Sequence, residues 1–148
     1  THWRDREARL PDGRPMTALF SSARDLARIG QAMLATAQAR TTAPLVPADW
    51  WAACKAPGSN TNPAWGLLWW FNGRDRYMVP FSDRVFSGPI VPGAPADLFA
   101  ARGAGDQRLL IVPSRSLVVV RLGVAVPNTA GAFDAAFMAR LLDAAAPA

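Results

Sequence analysis

The length and composition of the chain exclude several classes of protein. Its 148 residues fit one domain or part of one, long enough to bury about two-thirds of the unfolded surface. A hydrophobic content of 51% with six Trp residues excludes an intrinsically disordered chain. No segment reaches the roughly 20 apolar residues that a membrane-spanning helix needs, so we expect no membrane span.

The net charge of +5 does not indicate a nucleic-acid partner. The cations are fifteen Arg residues and Lys55, spread along the chain, whereas phosphate-binding faces cluster their cations. The single Cys54 excludes an internal disulfide. His2 has no Cys or carboxylate at ligand spacing, so we predict no metal site and no cofactor. The polar amino end is unlike a signal peptide, and because the chain starts at Thr1 we expect its native amino terminus to lie elsewhere.

The first half of the chain predicts two helices and a hairpin. Residues 11–15 read as a turn that leads into a short extended piece at 16–20. Ser22 is a suitable N-cap for an amphipathic helix over 23–39. The predicted elements that follow are a short helix at 47–54, a strand at 65–71, a hairpin turn at Asn72-Gly73, a return arm near 77–79, and a long surface loop at 80–96.

The second half predicts a sheet and a terminal helix. Apolar runs at 97–102, 107–112 and 117–122 are separated by turn residues, which is typical of consecutive antiparallel strands. The second and third runs are so continuously apolar that both faces of the sheet should be covered. A helix at 131–145 should bury Phe133, Phe137, Met138, Leu141 and Leu142. This order predicts an α+β fold, an antiparallel sheet with a packed C-terminal helix.

Gly103 and Gly105 do not form a dinucleotide fingerprint, since a strand and not a helix follows them. The run FAARGAGDQRLLIVPSRSLVVVRLG, with SSARDLARIGQAML and WGLLWWFN before it, instead resembles the carboxyl-terminal half of the serine β-lactamase-like hydrolases. That family includes class C β-lactamases, penicillin-binding DD-peptidases and related esterases. The resemblance covers residues 12–145 and implies that residues 1–148 are the C-terminal part of one such domain, with a partial β-lactamase/transpeptidase-like fold.

The resemblance implies roles for four consecutive residues. Such enzymes use a serine in an S-x-x-K motif, a second motif Y-x-N or S-D-N, and a K-T-G-like triplet on a strand beside the site. The triplet here is Ala101-Arg102-Gly103, which would bind substrate, and the backbone N–H of Ala104 would stabilise the oxyanion. Arg102 would contact a substrate carboxylate, and Gly103 would keep the strand surface open.

The sequence departs from the family pattern at several points. Ala101 stands where Lys or His is common, and Asp106 stands where a second glycine is usual. There is no S-x-x-K, because Lys55 is the only lysine and Ala52 precedes it by three residues. Tyr77 does not fit Y-x-N. We therefore expect the nucleophile on an N-terminal half of the same fold outside this sequence, and no hydrolase activity from this chain alone.

Other interpretations stay open at this stage. The parent protein is expected to be an enzyme that takes a small-molecule ester or amide, but the chain is alternatively an inactive relative that acts as a binding or scaffold module. Arg102 is more commonly a solvated strand residue than a clamp. Trp65, Trp69 and Trp70 are more commonly core residues than a ligand platform. The resemblance slightly favours the bacterial periplasm or secretion and leaves the cytoplasm open.

Overall fold

The amino-terminal segment forms a β-hairpin in the computed structural model, which describes residues 1–10, 12–79, 82–124 and 132–145. Strand β1 (His2–Arg9) pairs antiparallel with β2 (Pro15–Phe20), and Gly13 adopts a φ of +83° where the chain turns. The predicted extended piece at 16–20 is confirmed. Strand β1 was not predicted, because its side chains are mostly charged and every residue of it is exposed.

Two helices follow the hairpin. Helix α1 (Ala23–Ala37) begins at the predicted cap, where the Ser22 hydroxyl accepts a hydrogen bond from the Asp25 N–H at 3.1 Å. It ends two residues before the predicted position, and it buries Gly30, Met33 and Leu34. The short helix α2 (Ala48–Lys55) begins after Pro47 and buries Trp51 and Cys54.

In the described residues that follow, there are six strands, one α-helix and a 3-10 turn at Pro113–Arg115. The strands and the α-helix are β3 (Trp70–Phe71), β4 (Arg76–Met78), β5 (Val85–Ser87), β6 (Phe99–Gly103), β7 (Gln107–Val112), β8 (Leu117–Arg121) and α3 (Ala132–Ala144). A four-stranded antiparallel sheet has the order β3-β6-β7-β8, and β4 pairs separately with β5. The three predicted strands of the second half are therefore confirmed to within two residues at each end.

Both faces of this sheet are covered, as its apolar strands predicted. On β7, Leu109 and Ile111 belong to a cluster that contains Met33 of α1. The alternate residues Leu110 and Val112 belong to a second cluster that contains Met138 of α3. All of these side chains are buried, so the central strand separates two apolar layers. The architecture is α+β, with an antiparallel sheet and a C-terminal helix packed on it.

Helix α3 buries a carboxylate beside its apolar face. Met138 is buried and Leu141 and Leu142 pack against the same cluster, as predicted, whereas Phe133 and Phe137 are only partly buried and stack on each other. Asp134 lies four residues before Met138 and is only 2% exposed. In the ranges that the structure describes, no helix is both long and apolar enough to cross a bilayer.

The predicted hairpin at Asn72-Gly73 is wrong. Strand β3 pairs with β6 and not with β4, whose partner is β5. The buried Asn72 side chain instead anchors a distant loop: its amide donates to the carbonyls of Ala94 and Pro95 at 3.2 and 3.1 Å, and its oxygen accepts from the Val91 N–H at 2.8 Å. This amide therefore serves the interior, where polar groups need partners.

Two further predictions in this region need correction. The strand expected at 65–71 reduces to β3, with an isolated bridge between Trp65 and Trp70. The loop expected at 80–96 is not a surface excursion over its described part, because it contains β5 and the buried core residues Ile90 and Val91. A short apolar pair between prolines is enough to draw this segment into the core.

Candidate functional site

The strand that carries the predicted triplet has one edge that is only partly paired. Along β7, the register runs from Phe99↔Ile111 to Gly103↔Gln107. On the opposite edge, β3 pairs only with Phe99 and Ala100. Within the described residues, the outer edge of β6 thus has no ladder partner from Ala101 onward. An open strand edge of this kind is able to pair with an extended ligand.

A pocket of about 560 Å³ adjoins this part of β6. Its volume lies in the range of small-molecule sites, about 300–1,000 Å³. Ala101, Arg102, Gly103 and Ala104 all contribute to its wall, so the structure brings the four predicted residues together at one hollow. The remaining wall comes from the hairpin, the start of α1, the loop before β3, strand β7 and the residue after β8; its members are Trp3, Arg6, Ala18, Leu19, Phe20, Ser21, Leu26, Trp65, Leu68, Gln107, Arg108, Leu109 and Leu122.

Two residues of the turn after the triplet have a positive φ, a conformation that favours glycine. Gly105 has a φ of +72° and Asp106 a φ of +61°. Asp tolerates the left-handed region better than most residues, so this conformation at Asp106 costs only modest strain. The Asp106 carboxylate accepts a hydrogen bond from Arg108 Nη2 at 2.7 Å, which holds it against β7.

Gly103 allows a close approach between β6 and β7. A Cβ at Gly103 would lie 3.2 Å from the Cβ of Gln107. Gln107 cannot easily move, because its amide donates to the carbonyls of Gly105 and Gly123 at 2.8 and 2.6 Å and accepts from the Gly123 N–H at 3.0 Å. The glycine therefore has a packing role between the two strands, which the sequence did not predict.

Arg102 is paired inside the protein. Its Nη2 donates to Asp134 Oδ2 at 2.9 Å, and its guanidinium carbon lies 5.9 Å from the centre of the Trp70 ring. The side chain is 17% exposed, so the interpretation as a solvated strand residue is wrong. Burial, and next the charge of Arg108, lower the pKa of Arg102, whereas Asp134 opposes that shift.

Asp134 is shared between two arginines. Besides Arg102, it accepts hydrogen bonds from Arg108 Nε at 3.1 Å to each of its oxygens. One buried carboxylate therefore ties α3 to both β6 and β7. Sequence reasoning missed this residue; the available signal was an acidic side chain on the apolar face of the helix, four residues before Met138.

The tryptophans divide between core and pocket. Trp70 is buried, and Trp69 packs edge-on against Phe99 with ring centres 5.1 Å apart, as expected of core residues. Trp65 is exposed enough to line the pocket, although it packs edge-on against Trp70 at 4.8 Å. Trp65 and Arg102 also border a second pocket, of about 340 Å³.

The hairpin contributes aromatic wall residues that the sequence did not indicate as site residues, namely Trp3 and Phe20. Ser21 also lies in the wall, and its hydroxyl shares a 2.8 Å hydrogen bond with Thr1 Oγ1.

In the described ranges, no three His, Cys, Asp or Glu side chains are grouped so as to hold a metal ion. Comparison of the chain with protein-family models, curated proteins and solved structures finds no match.

Proposed function

We propose that this chain is the carboxyl-terminal part of a serine β-lactamase-like hydrolase that cleaves an ester or amide through an acyl-enzyme. The observation that carries the proposal is the outer edge of β6 from Ala101 to Gly103, which has no ladder partner among the described residues and, together with Ala104, adjoins a pocket of small-molecule size. The coarse architecture, an antiparallel sheet between helices, supports it as well. The motif resemblance supplies the reaction class.

In this proposal the chain provides substrate binding and part of the oxyanion site. The open edge of β6 pairs with the amide or ester group of the substrate, and the Ala104 N–H donates to the oxygen that becomes negative in the tetrahedral intermediate. A backbone N–H held by a strand end needs no reorganisation during the reaction. The attacking serine and the groups that move its proton lie on polypeptide outside this sequence, because the sequence has no S-x-x-K motif.

The decisive experiment uses the full gene product and a matched pair of substitutions. Activity is assayed on p-nitrophenyl esters and on nitrocefin, and adduct formation with a fluorophosphonate probe is followed by mass spectrometry. Ala104→Pro removes the N–H donor, and Ala104→Gly retains it. Loss of one oxyanion donor should lower kcat by about 10²–10³-fold, while the glycine variant should keep most of the activity.

Thermal unfolding of both variants separates a lost donor from a damaged fold. Equal activity in the two variants, at similar melting temperature, would contradict the role of Ala104. The absence of any adduct with the wild-type full gene product would contradict the hydrolase itself.

A second function, a binding or scaffold module that has lost catalysis, is favoured by two observations. Ala101 lacks the cationic side chain of the family triplet, and the Arg102 guanidinium is already engaged by Asp134. Sequencing the gene upstream of Thr1 discriminates the two functions. An S-x-x-K and a Y-x-N motif there support the hydrolase, and their absence supports the binding module.

A further inference from the structure

Exposed apolar side chains are concentrated around the pocket beside β6. Of the thirteen large hydrophobic residues that are exposed in the described ranges, six line this pocket. They are Trp3, Leu19, Phe20, Trp65, Leu68 and Leu122. Single exposed apolar residues are ordinary, but a contiguous group that rims a concavity is typical of a binding site.

Leu68 is the most unusual member of this group. Its φ is +67°, a conformation that is a genuine outlier for a bulky residue, and its side chain is 75% exposed. It lies in a tight turn in which the Gly66 N–H donates to the Trp69 carbonyl at 2.9 Å. Glycine or asparagine would satisfy this backbone with less strain. Strained backbone positions cluster at ligand-binding sites, so a strained and exposed leucine on the wall of the pocket favours a contact with a ligand.

Three arginines line the pocket: Arg102 and Arg108 are neutralised by partners within the chain, and Arg6 lies on the exposed strand β1 of the hairpin wall. Arg102 and Arg108 both contact Asp134, and Arg108 also contacts Asp106. The Gln107 amide bonds to the backbone of Gly105 and Gly123. The polar groups left at the β6 side are chiefly backbone groups of the open edge, which suits a ligand with an apolar body and a carbonyl.

We propose that this pocket binds the apolar acyl chain of the substrate, with Leu68 and the hairpin aromatics Trp3 and Phe20 as its wall and the carbonyl at Ala104. This inference rests on the proposed function and adds the substrate class: a neutral ester or amide with a hydrophobic acyl group. A small acyl group would leave the apolar wall exposed to water, and a charged acyl group would lose hydration against that wall.

The test is direct binding of unreactive neutral carbonyl compounds, a series of n-alkyl methyl ketones of increasing chain length, to this chain. Binding is measured by isothermal titration and by the change in intrinsic tryptophan emission, to which the pocket residues Trp3 and Trp65 contribute. Each methylene that enters the pocket should tighten binding about fourfold, until the chain fills it. Affinity that does not depend on chain length would overturn the inference.

A neighbouring pair of leucines gives the matched variants. Leu68→Asp should weaken the longest ketone at least tenfold, because a carboxylate replaces apolar wall. Leu67→Asp is the control: Leu67 is 41% exposed but does not line the pocket, and its substitution should leave binding unchanged. If Leu68→Asp fails to fold, Leu68→Gly relieves the positive φ and should unfold at a higher temperature while binding more weakly. Equal losses in the Leu67 and Leu68 variants would place the ligand elsewhere.

The outcome is distinguishable from that of the proposed function, since ketone binding needs no nucleophile. Chain-length-dependent binding to this chain supports the pocket even if the full gene product forms no acyl adduct. Acyl transfer by the full gene product with no ketone binding, and with equal rates on acetyl and long-chain esters, would overturn the acyl pocket and leave the hydrolase standing.

Discussion

The central sheet and the amino-terminal hairpin are both antiparallel, but they are stabilised in different ways. In the sheet, β7 buries residues on both faces between α1 and α3. In the hairpin, every residue of β1 is exposed, and its main aromatic contacts are a His2–Phe20 stack at 5.6 Å and Arg4 over the Phe20 ring at 5.5 Å. The sheet therefore supplies most of the stability of the fold, and the hairpin exposes its side chains to solvent and to the pocket.

This difference explains where the pocket lies. The sheet fixes the backbone of Ala101–Ala104, since the β6–β7 ladder extends to Gly103. The hairpin supplies apolar wall that the core does not use. Strand β6 is held by the core, and the hairpin opposite it is weakly packed. This arrangement suits a binding site, because the hairpin can adjust to a ligand while the core stays intact.

The substitution with the largest expected effect removes the carboxylate that joins the sheet to α3. Asp134→Ala leaves Arg102 and Arg108 without their shared partner, and breaking a buried ion pair costs about 3–5 kcal/mol of unfolding free energy. Urea denaturation provides the measurement. Asp143→Ala, at an exposed position of the same helix, should change stability by less than about 0.5 kcal/mol. If Asp134→Ala and Asp143→Ala change the free energy of unfolding equally, the ion pairs of Asp134 do not stabilise the fold.

The next effect concerns the contact between α1 and the sheet. A Cβ at Gly30 would lie 2.5 Å from Val118 Cγ1 and 2.9 Å from Leu109 Cδ1. Gly30→Ala should therefore destabilise the protein by about 1–3 kcal/mol through overpacking, although alanine is the better helix former. Gln31→Ala at the neighbouring exposed position should be near neutral. A stabilising Gly30→Ala would mean that the helix can shift away from the sheet.

A smaller, pH-dependent effect is expected at Asp25, where the hairpin leads into α1. Hydrogen bonding from Ser22 is the largest cause that lowers the pKa of Asp25, and Arg28 adds to it. A lowered folded-state pKa gives stability that is present above the unfolded pKa and is lost as the pH falls through the folded one. Asp25→Asn should therefore be less stable than wild type at neutral pH, and the difference should vanish well below pH 3.8. If the stability difference between Asp25→Asn and wild type persists in acid, its cause is packing and not the charge of Asp25.

The smallest effect on stability should come from the hairpin itself. Trp3 is 68% exposed, so Trp3→Ser should change the free energy of unfolding by less than about 0.5 kcal/mol. The same substitution removes apolar wall from the pocket and should weaken ketone binding. A large loss of stability would mean that the hairpin belongs to the folding core, which would remove the contrast between the two regions.

Sequence reasoning predicted the elements whose signal is local. Turn residues between apolar runs located β6, β7 and β8, and the Ser22 cap located the start of α1. It failed where a long-range partner decides the structure. Asn72 next to a glycine looks like a turn, but its amide is satisfied by carbonyls some twenty residues away. The charged strand β1 gives no apolar alternation to detect.

The candidate site shows the same division. That Ala101–Ala104 lie at a strand end could be predicted, because the glycines and the apolar run before them are adjacent in sequence. The wall opposite them could not be predicted, since Trp3 reaches it only through the fold. The pairing of Arg102 with Asp134 joins residues 32 positions apart, and no local pattern encodes that separation.

The buried Cys54 allows local opening of the protein to be measured by thiol labelling. Cys54 carries the only thiol of the sequence and is buried on α2, and burial raises the pKa of this thiol. Its backbone carbonyl accepts a hydrogen bond from the Leu67 N–H at 3.3 Å. Cys54 belongs to the buried cluster that contains Trp51 and Phe99, so a disulfide reagent in solution reacts with it only after local opening of this part of the domain. The rate at which the reagent labels Cys54 therefore measures how often this region opens, including the neighbouring segment that leads to Leu68. The measurement needs no dye and no added residue.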